Sequence, residues 1–181
     1  MALADPRHAV LTGAPGAGKT TLLGAAAAAG YATSPEVARL LLQQPGGMEL
    51  RKGDPLGFAE AMLEAHVREF ERHTNQPGPV LFDRGFPDVA GFLDVSGLPV
   101  PKAVDAACRL LRYHGPILRA PAWPAIYQQD AERIQDWDQA VASDAAVTAA
   151  WRRYGYAVVD LPLVGVAERL EFLRERLQPA A

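Results

Sequence analysis

Short apolar runs alternate with longer segments of helical periodicity along most of the chain. Apolar positions at helical spacing predict helices over residues 19–29, 35–44, 58–72, 102–112, 138–154 and 166–177, with another helix beginning at residue 86. Between them, five short apolar runs predict strands near residues 9–11, 31–33, 80–82, 116–118 and 156–160. Strands alternating with helices predict an α/β fold with three layers, in which helices cover both faces of a doubly wound, mainly parallel five-stranded sheet.

Glycine and proline mark the breaks between these segments. Ser34 followed by Pro35 is typical of an N-cap and the first residue of a helix. The stretch from Pro45 to Gly57 is rich in glycine and proline and predicts a mobile loop. Such a loop either covers a substrate or is a plain connection.

Composition narrows the class of protein. At 181 residues and 49% hydrophobic content, the chain is expected to form a single domain over residues 1–181. A net charge of −3 without a long basic run argues against general binding to nucleic acid or an anionic membrane. Cys108 is the sole cysteine, which excludes an intrachain disulfide and favours a cytoplasmic location. No apolar run approaches the ~20 residues of a membrane span.

The stretch from residue 13 to residue 20 fits the phosphate-loop pattern G-x-x-x-x-G-K-[ST] and lies between a predicted strand and a predicted helix. Glycines let backbone N–H groups approach phosphate oxygens, the lysine reaches the β- and γ-phosphates, and the hydroxyl of Thr20 suits Mg²⁺. A chance match to a glycine-rich turn is the alternative. The predicted nucleotide-binding residues are Gly13, Ala14, Pro15, Gly16, Ala17, Gly18, Lys19, Thr20 and Thr21.

Asp83 and Arg84 directly follow the third apolar run. A buried parallel strand that ends in an acid delivers a carboxylate to the ligand edge of the sheet, as in the Walker B arrangement. Asp83 is therefore predicted to hold the metal or to accept a proton from an attacking hydroxyl, and Arg84 to contact phosphate or the acceptor. An apolar run ending in aspartate is common by itself, but here it follows a phosphate loop.

Two further segments carry candidate side chains. Glu36 and Arg39 share a helical face just past a strand end, where they either bind the acceptor or form a weak ion pair. A polar segment at about residues 121–138 suits a lid, and its Arg133 would stabilise charge on the transferred phosphoryl group. The alternative is a solvated surface helix.

The order of these motifs resembles a known family. The phosphate loop, residues 34–39, residues 82–88, Trp123-Pro124 and residues 130–133 together are similar to the small predicted ATPases classed as AAA-like, which share their architecture with nucleoside, nucleotide and ribosylnicotinamide kinases. The resemblance implies a kinase-like P-loop NTPase fold, with Lys19 and Thr20 on phosphate and Mg²⁺ and a lid arginine at Arg133. Family members often carry a second basic residue after that arginine. Because Ile134 stands there, Arg119 or Arg84 would supply the second charge.

Three functions fit this pattern. The first is an ATP-dependent phosphotransferase, in which Lys19, Asp83 and Arg133 act on the γ-phosphate and a small hydroxyl-bearing metabolite such as a nucleoside accepts it. The second is a nucleotide-dependent switch with slow hydrolysis, and the third is a protein that binds nucleotide without turnover. The N-K-x-D type stretch that reads guanine is absent, which favours ATP over GTP without excluding GTP.

Overall fold

The computed structural model describes residues 8–127 and 136–177 of the chain. Within these residues the order of elements is β1 (His8–Gly13), α1 (Lys19–Ala28), β2 (Ala32–Ser34), α2 (Val37–Gln43), α3 (Gly47–Gly53), α4 (Pro55–His73), β3 (Val80–Asp83), α5 (Phe86–Val95), α6 (Lys102–Leu110), β4 (Ile117–Ala120), α7 (Trp137–Arg153), β5 (Val158–Asp160) and α8 (Val166–Leu177).

The described strands form one sheet in the order β2-β3-β1-β4-β5, and every neighbouring pair runs parallel. In the central register Leu11 of β1 pairs with Asp83 of β3 on one side and with Leu118 of β4 on the other. Because the strands are parallel, their carboxyl ends lie at one edge, where ligands bind in open α/β sheets. The predicted fold class is confirmed.

Side chains that alternate along the strands enter two separate cores, one on each face of the sheet. In β1, Val10 packs into the core that α4, α5, α6 and α7 cover, whereas Ala9 and Leu11 pack into the core beneath α1 and α8. Both faces of the sheet are therefore covered, as the short, uniformly apolar strands predict. None of the helices in the described parts of the chain is long and apolar enough to cross a membrane.

Two local predictions are wrong. Ser34 is not an N-cap, because it is the last residue of β2 and pairs with Phe82; α2 instead begins after Glu36, whose backbone is extended. The stretch from Pro45 to Gly57 is not a loop throughout, since it contains α3 and the start of α4. Its glycines make the turn into α3, with Gly46 at a φ of 79°, and good helix formers follow them.

Helices α5 and α7 approach each other closely at Gly91. A Cβ placed on Gly91 would lie 2.7 Å from the Cα of Val147 and 2.9 Å from its backbone nitrogen. Since backbone atoms cannot move aside as a side chain can, only glycine fits this contact. The contact matters for the site because α5 and α7 each contribute residues to it.

We expect Gly91→Ala to destabilise the protein by about 1–3 kcal/mol, because the added methyl overlaps the α7 backbone. Gly24→Ala is the matched control, since Gly24 also lies inside a helix but a Cβ there meets no atom within 4 Å. The control should be more stable than wild type by about 0.5–1 kcal/mol, because alanine has a higher helix propensity than glycine. Urea unfolding measures both changes, and equal effects of the two substitutions would contradict the close α5–α7 contact.

Candidate active site

The phosphate loop connects β1 to α1 and depends on glycine at three positions. Gly13, Gly16 and Gly18 have φ angles of 110°, 73° and 83°, which side chains rarely adopt. Gly13 also lies against the backbone of Ala120 in β4, so closely that an added Cβ would overlap its carbonyl oxygen. The loop therefore presents backbone N–H groups next to the N-terminus of α1, as an anion-binding cradle requires.

Lys19 is the first residue of α1 and is buried beneath the loop. Its Nζ donates a hydrogen bond to the carbonyl of Ala14 at 2.5 Å. Burial, reinforced by repulsion from Arg84, lowers the pKa of Lys19 to about 8, although Asp83 and Glu36 oppose the shift. An anion bound in the cradle would add the negative charge that this ammonium group lacks.

Asp83 is the last residue of β3 and lies close enough to Lys19 for their charges to interact. Burial is the main cause that raises the pKa of Asp83 to about 7, with repulsion from Glu36 adding to it and Lys19 and Arg84 opposing it. Its Oδ1 is buried and has no hydrogen-bond partner. An unpartnered carboxylate oxygen beside the loop fits a cation or a metal-bound water.

Arg84 joins the phosphate loop to α2 and α5. Its Nη1 donates to the carbonyl of Gly13 at 3.2 Å and to Asp88 at 3.1 Å, and its Nε donates to Glu36 at 3.3 Å. Its backbone takes a φ of 67°, a conformation costly for a non-glycine residue. Burial alone would lower the pKa of Arg84, but the surrounding carboxylates raise it above its ordinary value.

Asp88 anchors this arrangement, and sequence reasoning missed it. The side chain, 5% exposed, accepts hydrogen bonds from the Thr12 hydroxyl, Arg84 Nη1, the Gly85 backbone and the Trp151 indole, at 2.5, 3.1, 3.0 and 2.9 Å respectively. The sequence shows only an acid in the first turn of a helix, a position that the helix dipole favours anyway. Its contacts with β1 and α7 exist only in the folded protein.

A first cavity of about 140 Å³ opens beside the phosphate loop. The predicted side chains that the fold brings to it are those of Lys19, Thr20, Glu36, Arg39 and Arg84. Burial disfavours the Glu36 carboxylate, but Arg84 and Lys19 outweigh this cost and lower the pKa of Glu36 below its ordinary value. Glu36 is therefore ionised at neutral pH.

The wall opposite the loop contains residues to which the sequence assigned no role. Arg51 of α3 and His66 of α4 line it, together with Phe58, Met62 and Phe92. Burial is the main cause that lowers the pKa of His66 to about 4, so this imidazole is neutral. Its Nδ1 has no hydrogen-bond partner. Helical spacing places Phe58, Met62 and His66 on one face of α4, but only the fold shows that this face lines a cavity.

A second cavity of about 380 Å³ lies on the other side of the loop and shares Gly16, Gly18 and Thr20 with the first. Trp123, Ile126, Arg169 and the turn before α8 complete its lining. Thr21, predicted to bind nucleotide, also lies there. The loop thus has one cavity on each side, as transfer between two bound molecules requires.

Arg169 connects α8 to the phosphate loop and was also missed. Its Nη1 donates to the carbonyl of Ala17 at 2.7 Å, and its Nε donates to the carbonyl of Pro162 at 2.8 Å. The guanidinium carbon lies 4.9 Å from the centre of the Trp123 ring. This side chain therefore fixes the back of the loop and one wall of the second cavity at once.

Arg119, a predicted candidate for a second phosphate-contacting arginine, is not brought to the first cavity. Arg119 forms ion pairs with Asp144 at 2.8 Å and with Asp160 at 3.1 Å, and it lines neither cavity. Of the two candidates for a second phosphate-contacting arginine, only Arg84 therefore lies at the loop. Arg133 lies outside the described residues, as do residues 128–135 of the predicted lid.

The residues present fit a magnesium nucleotide. Among residues 8–127 and 136–177, no group of three or more His, Cys, Asp or Glu side chains is placed to hold a metal ion by itself. Mg²⁺ in nucleotide sites is typically bound by one or two protein oxygens, water and phosphate. The unpartnered oxygen of Asp83 and the exposed hydroxyl of Thr20 suit that mode.

The fold is similar to that of known kinases. Deoxyadenosine kinase from M. mycoides with the products dCMP and dCDP has a TM-score of 0.71 and 14% identity, covering 94% of this chain and 98% of that one. The same enzyme with bound dATP has a TM-score of 0.68 and 13% identity, again covering 94% of this chain and 98% of that one. NadR protein in complex with NR has a TM-score of 0.63 and 16% identity, covering 95% of this chain and 50% of that one.

No curated protein sequence matches the chain significantly. The family model described as an AAA domain matches residues 8–169. This match and the similar folds support the prediction of a kinase-like P-loop NTPase fold. The chain belongs to the AAA domain family, as the resemblance in its sequence predicted.

Proposed function

We propose that the protein is a magnesium-dependent phosphotransferase that moves the γ-phosphate of ATP to a small metabolite. The observation that carries this proposal is the first cavity, because it places Glu36 and Arg84 beside the phosphate-loop residues Lys19 and Thr20. A protein that only hydrolyses nucleotide needs no enclosed space for a second molecule next to the γ-phosphate. Phosphoryl transfer requires one, since the reaction depends on positioning and charge neutralisation.

In this proposal each side chain has a role that follows from its position. Lys19 binds the β- and γ-phosphates, and Arg84 neutralises charge on the transferred group from the acceptor side. Asp83 and Thr20 would hold Mg²⁺, which would supply neutralisation of phosphate charge. The ionised Glu36 accepts a hydrogen bond from the acceptor hydroxyl. Arg39 binds the acceptor, and Arg133 stays a predicted lid residue that closes over the phosphates.

The direct test measures ATP consumption in the presence of pooled small metabolites, with mass spectrometry to detect a new phosphorylated species. We expect consumption to rise when one pool contains the acceptor, and that pool should yield a product heavier by one phosphoryl group. Replacing ATP with GTP in the same assay determines the donor. Consumption that never depends on a metabolite but changes with a protein partner would favour the nucleotide-dependent switch.

We expect Lys19→Ala to weaken ATP binding by about 10- to 100-fold, because it removes a charged hydrogen bond to phosphate. Turnover at saturating ATP should fall by at least about 10²-fold, since the same charge stabilises the transition state. Lys102→Ala is the control, because Lys102 is exposed at the start of α6. Calorimetry and a coupled assay measure the two effects, and equal behaviour of both variants would contradict the assignment of Lys19.

Asp83→Asn should change the pH dependence of stability in the nucleotide-free protein. Because the pKa of Asp83 rises from 3.8 to about 7 on folding, the folded state keeps a proton that the unfolded chain has lost. Stability from the protonated carboxyl is therefore present below pH 4 and lost as pH rises through 7. Relative to wild type, the variant should gain about 4 kcal/mol of stability between pH 4 and pH 8.

Urea unfolding at several pH values measures this difference, with the exposed Asp138→Asn as control. A constant difference across the range would show that the pKa of Asp83 is not raised in the nucleotide-free protein. The same variant should lower magnesium-dependent turnover by at least about 10²-fold. Unchanged turnover at saturating Mg²⁺ would contradict the proposed metal role of Asp83.

A further inference from the structure

Helix α3 carries a guanidinium group into the first cavity without a carboxylate partner. Arg51 is half-buried and lines the cavity, yet no carboxylate of the described residues lies within ion-pair distance of it. Arg84, by contrast, has both Glu36 and Asp88. A buried cation without a counterion is unfavourable, so a position of this kind suits an anion supplied by a ligand.

The charges around the cavity leave Arg51 available to an acceptor. Its lining carboxylates are Glu36 and Asp88, and both are already bound to Arg84. Lys19 lies under the phosphate loop, where its Nζ donates to the carbonyl of Ala14. Burial and then repulsion from Arg84 lower the pKa of Arg51, and Glu36 opposes this shift without cancelling it, which leaves the guanidinium with a deficit of negative charge. A neutral acceptor would leave this deficit, and a cationic one would worsen it.

The wall next to Arg51 suits a planar ring. The guanidinium carbon lies 6.0 Å from the centre of the Phe92 ring, which is in turn 5.6 Å from the ring of Phe58. Met62 and Val147 extend the same apolar surface. The neutral imidazole of His66 adds a polar group that can hydrogen-bond to a ring nitrogen or oxygen without adding charge. Pockets of this composition bind an apolar body and orient it by a few polar groups.

We propose that the acceptor is a planar, ring-bearing anion whose phosphate or carboxylate group binds Arg51, such as a nucleoside monophosphate. The proposal rests on the proposed function in one respect, since it takes the first cavity to be the acceptor site. It deepens that function because it predicts that neither neutral nucleosides nor cationic ribosylnicotinamide is the preferred acceptor. Arg51 determines this preference through its charge and through a bidentate geometry that lysine does not reproduce.

Calorimetry on the full chain tests the proposal. The protein is first saturated with magnesium and AMP-PNP, so that added ligands cannot bind at the phosphate loop. AMP and adenosine then form a matched pair that differs only in the phosphate, and adenosine 5′-carboxylate replaces the phosphate with a carboxylate. Monophosphates and nucleosides with the other bases extend the comparison. We expect at least one anion to bind about 10-fold or more tightly than its neutral counterpart.

If only the phosphates bind, the acceptor carries a phosphate group. If only the carboxylate binds, the acceptor carries a carboxylate group. Binding of both would mean that the site recognises charge. Each of these outcomes supports the proposal. Neutral nucleosides that bind as tightly as all of their anionic counterparts would overturn it, and so would a preference for ribosylnicotinamide.

Substitution of Arg51 separates a specific contact from general attraction. Arg51→Gln should weaken binding of the anion by about 10- to 100-fold and leave the neutral nucleoside within about twofold. Arg51→Lys keeps the charge and should be intermediate. Lys52→Gln is the matched control, because Lys52 is the exposed neighbour on the same helix. Equal losses for the anion and the nucleoside, or an equal loss of AMP-PNP binding, would overturn the role of Arg51.

Failure of this proposal and failure of the proposed function give different results. If anions bind through Arg51 but no phosphoryl group is transferred to them, the acceptor preference holds and the phosphotransferase function fails. If a neutral compound is phosphorylated at a rate that Arg51→Gln leaves unchanged, the function holds and the acceptor preference fails. Circular dichroism of each variant confirms that the fold is retained.

Discussion

The buried carboxylate of Asp88 is the interaction on which the site depends. Both of its oxygens are occupied, one by Thr12 and Arg84 and the other by the Gly85 backbone and the Trp151 indole. These contacts tie the end of β1, the turn after β3 and α7 to the start of α5. They also hold Arg84 in an unfavourable backbone conformation, so the direction of its side chain is set before any ligand binds.

The folded chain alone does not balance the charges of the site, and this suits a site for an anionic nucleotide and a cation. Lys19 and Asp83 are neighbours, yet burial moves both pKa values toward neutrality, to about 8 and about 7. Each group therefore exists partly in its neutral form at physiological pH. An anionic nucleotide would favour the ammonium form of Lys19, and a cation beside Asp83 would favour its carboxylate. Ligand binding therefore supplies the charges that the folded chain lacks.

The sequence predicted those features of the site that a short stretch of the chain determines. The glycines of the phosphate loop and the strand that ends in Asp83 are local features, so their positions could be predicted. Asp88, Arg51 and Arg169 were missed because their partners lie on other elements, and no periodicity identifies which helix will face a cavity. The segment from Pro45 to Gly57 was mistaken for a loop because its glycines turn the chain sharply between two helices. The helix between those turns carries Arg51 into the site.

The contact between Arg169 and Ala17 has a consequence for biosynthesis. The two residues are 152 positions apart, so α8 leaves the ribosome long after the phosphate loop. Until it docks, the Ala17 carbonyl lacks its donor and the second cavity lacks a wall. A nascent chain can therefore form most of its sheet before it has a finished phosphate loop. The phosphate loop therefore gains its Arg169 contact only after synthesis has passed α8.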